Sequence, residues 1–276
     1  MSKPKQVDTL FVRFVASWGA EGAVATAVAL ATSYNMQITG VFRPQKDAAG
    51  LSSYPFAVAH LPGVNKVEQI THTSMETTTR RQCLHCEQLL RTRAEALNVE
   101  WTFEDQTAGG ELQEGRDARI QVFPKEKFLP TSETLSAILR HASDRQQTIV
   151  VSASDPDMTA SGPVVVIFEP GTDNHDLLSQ CAKLVSADRS AVILLPVTGD
   201  EVLADSIIAQ AQSVLGADVP FSVLSISVRE IRDLAVVVNR LNPAFTMISL
   251  RNRLLDNQVD AASLLRLIES SMILIP

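Results

Sequence analysis

The chain has 276 residues, 45% of them hydrophobic and 20% charged, with a formal net charge of -7. That length accommodates two domains with substantial cores, and the negative charge disfavours non-specific binding to nucleic acid or to anionic membranes, which depends on Lys and Arg neutralising phosphates. Three cysteines do not form a secreted disulfide framework, so the cytoplasm is the expected location, with small molecules or proteins as partners.

In chain order, the first apolar run contains Arg13, which fits neither a signal-peptide core nor a spanning helix. Leu10–Val15 reads as a strand, Ala20–Tyr34 as a small-residue helix and Gln37–Phe42 as a second strand. Residues 43–73 are rich in Ser, Pro, Ala and Gly and predict a long loop. Met75–Leu97 predicts a long polar helix, Glu100–Glu104 a strand, and Thr148–Ser152 the fourth and last strand of this part. Between Ser152 and Pro163 there is too little chain for another helix and strand, which predicts a truncated first unit ending in a linker.

Beyond that linker five short apolar runs occur, Val164–Phe168, Ala191–Leu195, Phe221–Ile226, Phe245–Leu250 and Met272–Ile275. Helical patterns separate them at Asn174–Ala187, Glu201–Leu215, Ile231–Leu241 and Ala261–Glu269. Strands apolar at nearly every position are buried on both faces, as parallel sheets require. Strand–helix alternation then gives right-handed crossovers and a three-layer sandwich.

The order strand, helix, strand occurs twice without gaps, at an offset of about 154 residues, so that Ile38 falls on Val192. A second block, Thr134–Arg140 leading into Thr148–Ser152, matches Ile231–Val238 leading into Phe245–Leu250. The expected fold class is therefore α/β, with two Rossmann-like units on parallel sheets, a truncated one at 1–158 and a complete five-stranded one at 159–276.

Ala27-Val-Ala-Leu-Ala31 on the first helix, Ile38-Thr-Gly-Val-Phe42 on the next strand and the closing Ser271-Met-Ile-Leu-Ile-Pro276 together resemble the universal stress protein family. The resemblance implies an adenine-nucleotide-hydrolase-like fold. It also implies, for members that bind ATP, an Asp at the end of the first strand and a glycine-rich loop, G-x2-G-x9-G-[ST], after the fourth. Glycines let backbone N–H groups approach phosphate oxygens, and the following helix N-terminus favours the anion. In the first unit the Asp position falls on Val15 or Ala16, and the segment after Ser152 has no glycine before Gly162. In the second unit it falls near Glu169, and the last glycine of the chain is Gly216. Neither unit carries the motif, so no ATP cofactor is expected.

Glu169, Gly171 and Thr172 follow a strand, and Arg251, Asn252 and Arg253 follow another that should approach the same edge, where open α/β sheets place ligands. Two arginines can hold a small anion by charge-assisted hydrogen bonds; the competing reading is ion pairing with Glu169, Asp256 or a partner chain. Cys83-Leu-His-Cys86 invites a metal or redox role. Mid-helix placement puts both thiols on one face and His85 on another, so ordinary buried cysteines are expected and no metal. No G-x-S-x-G occurs, Ser17 and His141 have no partners in sequence, and Gly109-Gly110 lacks the lysine of a phosphate loop. No catalytic residue is assigned.

The polar helix is expected to be solvated. The short apolar closing strand is expected at an edge open to self-association or to pairing between the units. The function expected is that of a non-catalytic tandem protein that has lost ordinary ATP binding and works through a protein partner or a small anion. The alternative is a noncanonical nucleotide-binding or nucleotide-hydrolysing enzyme using a cleft around Glu169 and Arg251.

Overall fold

The computed structural model describes residues 8–17, 19–44, 58–60, 67–69, 72–107, 119–125, 139, 142, 144–159, 162–169, 174–185, 191–197, 204–216, 219–227, 230–256 and 258–276. Its strands in the first half are β1 (Thr9–Phe14), β2 (Gln37–Phe42), β3 (Val58–His60), β4 (Val67–Gln69), β5 (Trp101–Asp105), β6 (Ile120–Phe123) and β7 (Thr148–Val151). The second half holds β8 (Val164–Ile167), β9 (Ala191–Val197), β10 (Phe221–Ser227), β11 (Phe245–Ser249) and β12 (Ser271–Ile275). Helices are α1 (Ala20–Tyr34), α2 (His72–Ala96), α3 (His175–Leu184), α4 (Ala204–Leu215), α5 (Ile231–Arg240) and α6 (Gln258–Leu267). Among the described residues no helix is long and apolar enough to cross a membrane.

One 10-stranded sheet runs through the molecule in the order β10-β9-β8-β11-β12-β7-β6-β1-β2-β5. Every neighbouring pair is parallel except β12 with β7, which is antiparallel, with Ile273 opposite Val150. The two halves thus have the same strand order, third-second-first-fourth-fifth, and meet through their fifth strands. The expected α/β class with parallel sheets is borne out, and the offset that places Ile38 on Val192 matches β2 to β9.

Three expectations are corrected. The first half is not truncated, because it supplies five strands to the sheet. The strand passed over is β6, whose alternation is masked by Gln121. That side chain is buried and satisfied by a hydrogen bond from its Nε2 to Gln147 Oε1 at 2.9 Å. Thr148–Val151 is consequently the fifth strand, and the helical residues Leu139 and Ala142 ahead of it correspond to α6 rather than to α5. The predicted loop 43–73 contains a small antiparallel ribbon of β3 and β4, and α2 already starts at His72. Of the two outcomes expected for the closing strand, the edge open to self-association is corrected and pairing between the units is what occurs: β12 lies between β11 and β7, and all five of its residues are buried.

Two apolar layers cover the sheet. On one face Leu10, Val12 and Phe14 of β1 and Val164, Val166 and Phe168 of the β8 segment pack against α1 to α4. On the other, Val165, Ile167 and Ile248 pack against α5 and α6. Helix α1 is built from small residues because it lies against the chain that leaves β7. A Cβ on Gly22 would come within 2.0 Å of the Ala153 carbonyl oxygen, and a short 3-10 turn, Pro156–Thr159, packs on the same helix. The two halves are also pinned by polar contacts in the core. Thr26 Oγ1 and Ser271 Oγ lie 2.8 Å apart, and Ser271 Oγ accepts the Ala153 N–H at 2.8 Å.

Candidate functional site

In a sheet of this order the connections leave in opposite directions between the first and fourth strands, and the crevice outside their C-terminal ends is the usual ligand position. The second half places that point between β8 and β11, which pair in parallel from Phe245 with Val164 to Ile248 with Ile167. Glu169 follows β8, and Arg251, Asn252 and Arg253 follow β11. Four of the six candidate residues therefore reach one place in the fold; Gly171 and Thr172 lie outside the described residues.

There the Glu169 carboxylate bridges the two strand ends. Its Oε1 is 2.8 Å from Arg253 Nε, and its Oε2 accepts the backbone N–H of Arg253 at 3.0 Å. The Glu169 side chain is largely buried, while the Arg253 side chain is 82% exposed, so the pair sits at the crevice mouth with the carboxylate inside. Asn252 is buried and turned into the chain, accepting the Leu254 N–H at 3.0 Å, which caps the 3-10 turn Arg253–Leu255. Arg251 is exposed, and its N–H donates to Ser249 Oγ at 3.2 Å. On the opposite side Asn174, ahead of α3, donates from Nδ2 to the Glu169 carbonyl at 3.0 Å. The arrangement joins Glu169 to Arg253 directly, while Asn252 serves the turn and Arg251 faces solvent.

The first half has its corresponding point between β1 and β6, which the expected strand count displaced. The chain leaving β6 is Pro124-Lys125, with no glycine in sequence between Gly115 and Gly162. It lies directly on the loop after β1: a Cβ on Gly19 would come within 3.1 Å of Pro124 Cβ and 3.5 Å of the Lys125 carbonyl. Gly19 has a φ of +75°, in the left-handed region that glycine tolerates, where it opens α1. Lys125 Nζ donates to the Ile268 carbonyl at the end of α6. Burial pulls its pKa down, against a smaller upward effect of Glu269. The signal that could have revealed this region was the run Ile120-Gln-Val-Phe-Pro124, a short apolar stretch ended by proline.

Cys83 and Cys86 lie on the buried face of α2, and His85 is exposed, as their spacing on a helix requires. Both thiols are free. Burial pushes each up to about 12, with a carboxylate, Asp105, adding to the effect at Cys83. A thiol in that state is a poor nucleophile and a poor ligand. Among the described residues no three His, Cys, Asp or Glu side chains converge as a metal site.

No family model and no curated protein matches the sequence. The fold is similar to that of a universal stress protein from Archaeoglobus fulgidus, with a TM-score of 0.61 at 9% identity over 97% of this chain and 96% of that one. It is also similar to the cytoplasmic domain of a prokaryotic cation chloride cotransporter, with a TM-score of 0.52 at 10% identity over 97% of this chain and 95% of that one. A functionally unknown protein from Pseudomonas aeruginosa gives a TM-score of 0.51 at 11% identity, over 98% and 92% of the two chains. At such identities the likeness establishes a fold, that of universal stress proteins, over nearly the whole length.

Proposed function

We propose that this chain, with its universal-stress-protein fold, is a non-catalytic binding protein that has lost ordinary ATP binding and acts through a protein partner or a small anionic ligand. The observation that carries the reading is the Glu169 carboxylate. At the point where an open α/β sheet takes its ligand, an anion belonging to the chain itself already accepts the Arg253 N–H and faces its guanidinium. Two further features support it: the close packing of Gly19 on Pro124 and Lys125 in the first half, and the absence of any glycine after Gly216. Without glycine, backbone N–H groups do not readily form a tight phosphate cradle.

The chain is read as two units, 1–158 and 159–276, with the boundary inside the 3-10 turn Pro156–Thr159. The cytoplasm remains the proposed location. Self-association through the closing strand is not part of the reading, because β12 is interior. The enzymatic alternative around Glu169 and Arg251 needs a carboxylate able to act on a substrate, and the two contacts with Arg253 weigh against it.

Calorimetric titration of the purified protein with ATP and with AMP tests the proposal. Heats no larger than dilution are expected, and micromolar binding of either nucleotide would sink it. Turnover of ATP that disappears in Glu169→Gln protein would favour the enzymatic alternative.

A further inference from the structure

The sheet face that is apolar beneath α5 and α6 changes character in the first half. In the second half it carries Val165, Ile167, Val192 and Ile248. In the first half, register assigns Thr9, Phe11 and Arg13 of β1 to that face, together with Gln37, Thr39 and Val41 of β2. It adds Gln121 and Phe123 of β6, since Phe11 pairs with Gln121, which pairs with Ile149. Arg13 lies over the Phe123 ring, 5.5 Å from its centroid, which confirms the shared face. Arg43 belongs there too. It stands two positions beyond Val41, the partner of Arg13, and its N–H continues the ladder by donating to the Phe14 carbonyl at 2.8 Å. Register thus places two arginines on one face at the C-terminal ends of the adjacent strands β1 and β2, close enough for Arg43 to act electrostatically on Arg13.

Like charges side by side on a sheet face destabilise it, and a half-buried cation without a counter-charge costs more than an exposed one. Arg13 is half-buried and Arg43 is exposed. Burial, with the neighbouring Arg43, pulls the Arg13 pKa down. The ion pairs among the described residues are Arg119–Asp8, His175–Asp176 and Arg253–Glu169, so neither Arg13 nor Arg43 has a carboxylate partner among them. Glu104, which register places opposite Val41 on β5, shares the face, and no ion pair among the described residues joins it to Arg13 or Arg43. The π-face of Phe123 supports the Arg13 guanidinium and leaves its N–H edge to an acceptor.

We propose that Arg13 and Arg43 form a binding site for a phosphate group, either inorganic phosphate or the phosphate of a small phosphorylated molecule. A planar guanidinium donates two parallel N–H bonds to one such group, and a second guanidinium beside it matches a dianion. The bound anion would remove the repulsion between the two cations. This site is separate from the Glu169 crevice and does not depend on the function proposed above.

The test is calorimetry and thermal denaturation of the full chain with inorganic phosphate, against chloride at equal ionic strength, with glycerol phosphate as a second arm. Saturable binding of either supports the site, and tighter binding of glycerol phosphate identifies a phosphorylated molecule as the occupant. Arg43→Gln should weaken binding at least tenfold and Arg13→Gln should abolish it, while Arg251→Gln in the second half leaves it within twofold. Because Arg13 is packed on the sheet and its variant could lose stability, the exposed Arg43 decides the matter. No binding above the chloride control, or undiminished binding to Arg43→Gln protein, overturns the proposal. Micromolar ATP binding that survives in Arg43→Gln protein would count against the function proposed above and not against this site.

Discussion

Removing the Glu169 carboxylate should destabilise the protein more than removing the arginine that pairs with it. The carboxylate makes two kinds of contact with one residue: a backbone N–H bond at 3.0 Å to Oε2 and a guanidinium contact at 2.8 Å to Oε1. A hydrogen bond to a charged group contributes about 1.5–3 kcal/mol. The Arg253 side chain is 82% exposed, so water and salt screen the share of its guanidinium to about 0–1 kcal/mol. Glu169→Ala loses both contacts and leaves a partly buried N–H unpaired, for a total of about 2–4 kcal/mol. Glu169→Gln keeps an acceptor without its charge and should cost about 1–2 kcal/mol. Arg253→Ala keeps the backbone bond, and water reaches Oε1 from the crevice mouth, so its cost should stay within about 1 kcal/mol. Urea denaturation at pH 7, with the slope checked to be equal across the variants, measures all three. If Arg253→Ala proves as costly as Glu169→Ala, the side-chain pair dominates, and the account of a carboxylate held by the backbone is wrong.

Three further outcomes are expected. Gly22→Ala drives a Cβ to 2.0 Å from the Ala153 oxygen, whereas Gly216→Ala meets nothing within 4 Å and only suffers its φ of +81°. The first should cost about 1–3 kcal/mol of overpacking or more, and its melting temperature should fall well below that of the second. Ser271→Ala orphans the buried Ala153 N–H and should cost about 1–3 kcal/mol, against about 1 kcal/mol for Thr26→Val, which leaves that bond in place; calorimetric melts rank them. Burial pushes Cys86 and Cys181 up from 9.0 to about 12, so neither should react with a thiol reagent at pH 8 until urea is added. The unfolded chain then loses thiol protons that the folded chain keeps, so stability is fully present below about pH 9 and falls as pH rises toward 12. Urea midpoints at pH 8 and 10.5 check this, and replacing both cysteines by alanine should reduce the drop.

Much of the candidate site was legible because strand ends are local features. The apolar runs ending at Phe168 and Leu250 placed Glu169 and Arg251–Arg253 on one edge, and an ion pair with Glu169 was the competing outcome considered for the arginines. Which arginine it would be was not legible. Arg251 and Arg253 are equivalent as composition, and only the turn capped by Asn252 presents the Arg253 N–H and Nε to the carboxylate while leaving Arg251 in solvent. The Arg13–Arg43 pair was hidden for a related reason. The two residues are far apart in sequence, and only the register of β1 on β2 puts them on one face.

By itself the sequence determined the α/β class, the repeat that matches β1-α1-β2 to β8-α3-β9, the interior placement of the cysteines and the lack of a glycine-rich loop. Each of these follows from composition or periodicity within a few turns of chain. Strand number and order were decided in three dimensions. Gln121 looks unfit for a buried strand until Gln147 satisfies it. Met272–Ile275 looks like a free edge until β7 arrives from more than a hundred residues earlier. A strand apolar on both faces has no preferred side for its partner and no pattern that names it. Pairing between the units was one of two outcomes open to the closing strand, and the choice of β7 as its partner, which turns two five-stranded halves into one sheet, belongs to the tertiary structure.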